Sequence, residues 1–169
     1  MKDARDLTVS TSSAKALEHF ETALTQFHSY TGDPLATMQQ ALLADPEFAL
    51  AHLFNAFAMY TASEQRYLPA VRESLAKAST LRPKMNSRER DLLDAAELLA
   101  AGKWRDASRA FDSILIEYPR DALALQEQGR YRQSEPVFKR AIALAEQAFG
   151  PNSPETATPL NNLGVLRYL

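Results

Sequence analysis

Three prolines set the frame of this chain. Pro46, Pro83 and Pro119 stand 37 and 36 residues apart, and the residues ahead of each one correspond. Five positions upstream lie Ala41, Ala78 and Ile114; eight upstream, Met38, Leu75 and Phe111; twelve upstream, Pro34, Val71 and Ala107. With about 3.6 residues per turn, those offsets fall on one stripe of an α-helix. A proline deprives a helix of a backbone donor and clashes with the preceding turn, so each of the three ends a helix at the same point of a repeating unit. Such a unit cannot bury its apolar face alone and must stack on its neighbours. The period predicts a solenoid of antiparallel helical hairpins, about eight to nine helices in all.

Helix signals between the prolines fill in the unit. Ser12 or Ser13 is placed to cap a first helix through Leu17, Phe20, Leu24 and Phe27. Gly32-Asp33-Pro34 reads as a turn, with Asp33 as N-cap and Pro34 at the first helical position. That second helix stops near Asp45-Pro46, and a third, apolar nearly all round, runs from Glu47 to about Ala62. A fourth covers roughly Arg66 to Thr80. Asn86 and Glu89 match a capping box for a fifth helix, which Gly102 closes, and a sixth spans about Arg105 to Glu117. Period-two alternation is absent, so the fold class is all-α.

Beyond Pro119 the pattern changes. Nine residues separate Pro119 from Gly129, short for a first helix, so this hairpin has a stunted first helix or the segment from Asp121 to Phe149 is one bent helix. A helix is expected from about Tyr131 to Phe149 and a last one within Glu155 to Tyr168, with no partner to complete its hairpin. The organisation expected is a polar N-terminal tail over 1–12, three hairpins over 13–119, and a partial repeat segment over 120–169 whose last helix is unpaired. Such an ending reads as a fragment, a truncated product or a fusion of two repeat genes.

Composition excludes more than it assigns. The 19 basic and 21 acidic residues are well mixed, giving a formal net charge of −2, with no basic stripe for nucleic acid. Without cysteine there is neither a disulfide nor a zinc–thiolate site. The most apolar window, Phe48 to Ala62, is too short to span a bilayer and includes His52 and Asn55. Met1 to Ser13 is polar rather than signal-like, and a cytoplasmic location is the expectation. His19, His28 and His52 form no metal-binding spacing, and no glycine opens a phosphate-binding loop. Neither catalytic residues nor cofactors are expected. Trp104, beside Gly102, is expected to pack between the two helices of its own hairpin.

Two family resemblances follow from particular stretches. Tyr30-Thr31-Gly32-Asp33-Pro34-Leu35, Asp45-Pro46-Glu47-Phe48-Ala49-Leu50-Ala51-His52, Ser87-Arg88-Glu89-Arg90, Ala101-Gly102-Lys103-Trp104 and Tyr118-Pro119-Arg120-Asp121-Ala122-Leu123-Ala124-Leu125 resemble the N-terminal part of the tetratricopeptide repeat protein 38 family, over about 8–125. Gln128-Gly129-Arg130-Tyr131, Glu135-Pro136-Val137-Phe138-Lys139-Arg140-Ala141, Gly150-Pro151-Asn152-Ser153-Pro154 and Leu160-Asn161-Asn162-Leu163 resemble kinesin-light-chain-type tetratricopeptide repeats, over about 126–169. These resemblances imply a protein-interaction scaffold that receives a peptide or partner helix on a concave surface lined by the first helix of each hairpin. They place Asn161 and Asn162, and by helix position Asn55, among the groups that hydrogen-bond a partner's backbone. The alternative expectation is a repeat fragment with no ligand of its own, which forms a homo-oligomer by burying Leu160, Leu163 and Leu166 of the open last helix.

Overall fold

The computed structural model describes residues 1–62 and 64–128. Six α-helices succeed one another: α1 (Ala14–Ser29), α2 (Pro34–Ala44), α3 (Ala49–Thr61), α4 (Leu68–Thr80), α5 (Ser87–Ala100) and α6 (Trp104–Glu117). A seventh begins at residue 122 and is helical through 128. The described residues thus hold seven helices, slightly below the eight to nine expected of the whole chain. No strand occurs among the described residues, where one isolated bridge joins Lys2 to Thr8. Each helix packs mainly on its hairpin partner, α1 on α2, α3 on α4 and α5 on α6. α3 also touches α2 and α5, while α4 touches α5. The fold is the all-α, tetratricopeptide-like array that the proline period implied.

Local chemistry sets the helix ends. The Ser13 hydroxyl accepts the Ala16 N–H at 3.2 Å, and the Asp33 carboxylate accepts the Ala36 N–H at 3.0 Å with Pro34 in the first turn. Asn86 and Glu89 form the reciprocal capping box at the head of α5. At its foot, the Gly102 N–H donates to the Leu99 carbonyl and the Lys103 N–H to the Leu98 carbonyl, both at 2.9 Å. That pair of bonds turns the chain through Gly102 at φ +72°, a backbone region open to glycine. α4 starts later than its sequence suggested because Gln65–Tyr67 forms a 3-10 turn ahead of it.

The repeat stripe is the core. Met38, Leu75 and Phe111 are buried at equivalent positions, as are Ala41, Ala78 and Ile114. The alanines let the helices approach closely, and the larger side chains fill the space between turns. Burying a side chain of Phe111's size stabilises by about 1.5–3 kcal/mol. α3, flanked by α2, α4 and α5, is buried on nearly every face from Ala49 to Phe57. Ring contacts join the hairpins: Phe20 to Phe48 at 5.2 Å, Phe27 to Phe54 at 5.6 Å, and Phe57 to Phe111 at 5.9 Å between centroids.

Two placements go beyond the sequence reading, at Trp104 and in the N-terminal segment. Trp104 meets Tyr60 of the preceding hairpin in a tilted ring contact, with centroids 5.4 Å apart. The helix expected from about Tyr131 lies outside the described residues; a helix begins at residue 122, as both sequence readings of this stretch allow, and Asp121 caps it, accepting the Ala124 N–H at 2.8 Å. That helix docks on α6, where the Ser108 hydroxyl donates to Gln128 at 3.2 Å and Gln128 donates to Asp112. The segment read as a tail is a folded loop. Val9 N–H donates to the Met1 carbonyl at 2.9 Å, and the Asp3 carboxylate accepts the Arg5 and Leu7 N–H groups at 2.9 Å. Arg5 ties the loop to Glu21 of α1 at 2.7 Å, and Thr11 donates to Asp45 before α3 at 2.5 Å.

Candidate protein-binding surface

The end of α1 builds one wall of a surface cavity. Tyr30 adopts a left-handed conformation at φ 55°, and Gly32 follows at φ 64°. A Cβ on Gly32 would stand 2.9 Å from the Gln26 Nε2, so glycine is what lets the turn close over that side chain. The turn into α2, the last residues of α3 (Ala58, Thr61, Ala62) and residues 125–126 complete the walls, enclosing about 620 Å³. Among the described residues no Lys, Arg, Asp or Glu lines it. Tyr30 is 97% exposed and Leu125 48%, so two large apolar side chains stand at its rim.

Two residues that line this cavity carry buried polar atoms without partners. Gln26 Oε1 and Gln126 Oε1 are both buried without a hydrogen bond. The Gln126 Nε2 donates to Glu127 at 3.3 Å. A buried acceptor left unpaired costs about 1–3 kcal/mol.

Asn55 lies elsewhere. It lines a separate cleft of about 460 Å³ with Gln39 of α2 and Ser74 and Lys77 of α4, so second helices of hairpins flank it rather than first helices. Its Oδ1 is likewise buried and unpartnered. His52 borders the same cleft, and its Nε2–H donates to the Pro46 carbonyl at 3.0 Å. Burial holds its pKa below the usual histidine value, with the Pro46 carbonyl opposing that shift. Asn161 and Asn162, with Leu160, Leu163 and Leu166, lie outside the described residues.

Among the described residues no His, Asp or Glu cluster has metal-binding geometry, and no helix is long and apolar enough to cross a membrane. The sequence reading passed over Gln26 and Gln126. The Gly32 turn gave a weak hint of the first, but nothing local pairs it with a residue one hundred positions away.

The tetratricopeptide repeat family model matches residues 122–169, beginning where the helix capped by Asp121 begins. That match supports a tetratricopeptide-type protein. Repeats of this type generally mediate protein–protein interaction and are scaffolds rather than enzymes. No solved structure matches the chain.

Proposed function

We propose that this chain is a scaffold that receives an extended segment of a partner protein in the cavity between the end of α1, the end of α3 and residues 125–126. The observation that carries the reading is the pair of buried, unpartnered carboxamide oxygens of Gln26 and Gln126 among apolar walls. The tetratricopeptide character of residues 122–169 supports it, since that repeat type is used for binding proteins. The Leu160-Asn161-Asn162-Leu163 stretch, similar to kinesin-light-chain-type repeats, extends the surface in this proposal, with Asn161 and Asn162 contributing further hydrogen bonds to a partner backbone.

The test is selection of ligands from a random peptide library on the full chain, followed by titration against variants. Ligands of micromolar affinity are expected. Gln26→Leu should weaken them about fivefold, the equivalent of about 1 kcal/mol for one hydrogen bond. Leu125→Glu should weaken them by more than about tenfold through an unpaired charge against an apolar ligand. Ligands whose affinity is indifferent to Gln26→Leu, Leu125→Glu and an Asn161→Ala/Asn162→Ala pair would refute the proposal.

A further inference from the structure

The head of α5 carries more hydrogen-bonding groups than its cap uses, and the surplus converges on the N-terminal loop. Asn86 caps with Oδ1, while its Nδ2 donates to the Thr8 carbonyl at 3.0 Å. Glu89 accepts the Asn86 N–H on Oε2 at 3.2 Å and the Ser10 N–H on Oε1 at 2.8 Å. Arg88 pairs with Asp121 through Nη1 and donates through Nη2 to the same Thr8 carbonyl at 2.9 Å. Val9, between them, is 2% exposed, and Arg88, Glu89 and Asp121 are buried with it.

Every polar contact from this cradle to residues 8–10 is to main chain. The carbonyl of one residue and the N–H of the residue two further on project from the same edge of an extended segment. Thr8 and Ser10 present that edge to α5, while Val9 directs its N–H to Met1 on the opposite edge. A cradle that reads one backbone edge and one small apolar side chain does not depend on this particular sequence. The resident segment is also imperfect, because the Ser10 hydroxyl is buried there without a partner. The loop holds itself together through Asp3, Leu7, Met1 and Val9, so leaving α5 does not require its own bonds to break.

We propose that the head of α5 is a second binding site, specific for one edge of an extended protein segment with a β-branched residue at its centre, and that residues 8–10 occupy it in cis. A partner segment of that kind takes the site when the loop is released. None of its residues lines the Gln26–Gln126 cavity, so the two sites stand or fall separately.

The experiment uses the full chain and, as probe, a fluorescein-labelled peptide of residues 1–12. Val9→Asp expels the loop from its apolar seat. The Val9→Asp chain should bind the probe at micromolar concentration, and the unaltered chain at least about tenfold more weakly, because its tethered loop competes at high effective concentration. Leu125→Glu added to Val9→Asp should leave probe binding unchanged. A Val9→Asp chain that keeps its helical circular dichroism and does not bind the probe overturns the proposal. If Val9→Asp does not fold, amide exchange of the unaltered chain decides. The Val9 and Ser10 amides should exchange at least about tenfold faster than those of Phe54 and Phe57, by local opening; equal rates, meaning release only on global unfolding, overturn the proposal.

Discussion

Replacing Arg88 by methionine tests whether the buried ion pair to Asp121 holds the start of the seventh helix in place. Methionine retains the length and apolar stem of the side chain and removes the guanidinium. The Thr8 carbonyl keeps its second donor, Asn86 Nδ2 at 3.0 Å, so the loss falls on Asp121. Its carboxylate is fully buried and retains the Ala124 N–H at 2.8 Å. Removing one member of a buried pair costs about 3–5 kcal/mol, chiefly because the other charge is left uncompensated. The positive end of the helix that Asp121 caps offsets about 0.5–1 kcal/mol of that. The expected net loss is therefore about 3 kcal/mol, a large part of a typical domain stability of about 5–15 kcal/mol. Asp121→Asn removes the stranded charge while keeping a capping oxygen. The double variant Arg88→Met/Asp121→Asn should accordingly recover to within about 1 kcal/mol of the unaltered chain, roughly 2 kcal/mol more stable than Arg88→Met alone. Urea denaturation followed by circular dichroism at pH 7 reads all four species, with midpoints compared at a common m value. A loss below about 1 kcal/mol in Arg88→Met, or a double variant no more stable than the single, would refute the reasoning.

Three further outcomes follow from other parts of the fold. Phe111→Ala should cost about 3–5 kcal/mol in the same denaturation assay, since the ring is fully buried against Phe57, whereas Ile116→Ala, 86% exposed on the same helix, should shift stability by less than about 0.5 kcal/mol. Gly102→Ala should cost about 1–2 kcal/mol from the left-handed backbone alone, because a Cβ there meets only Trp104 Nε1 at an unstrained 3.8 Å; thermal unfolding measures it, and an unchanged midpoint contradicts the assignment. For His52 the folded pKa is depressed, so the unfolded chain binds the proton more readily. The stabilisation is fully present above about pH 6.5 and is lost as pH falls toward the folded value, at up to about 1.4 kcal/mol per pH unit. His52→Gln should flatten the stability profile between pH 7 and 5, and an unaltered slope would show that His52 is not its source.

The sequence by itself determined the helices, their caps and the unit they repeat in. Those features are local. Ser13, Asp33 and the Asn86–Glu89 box act on backbone groups within one turn, and Gly102 acts through its own φ. The buried stripe through Met38, Leu75 and Phe111 was legible because each hairpin of a solenoid meets its neighbours in the same way. Tertiary structure alone decided whatever joins residues distant in the chain. Met1 to Thr11 is polar and reads as a tail, yet its backbone finds acceptors and donors on α5 some eighty residues away. Trp104 reaches Tyr60 of another hairpin, and the cavity exists because residues 125–126 come to rest beside the end of α1. Capping and propensity reach only a few residues along the chain. Which orphaned carboxamides share a cavity depends on how successive hairpins are rotated on one another, and that angle is set by side-chain packing summed over the whole array.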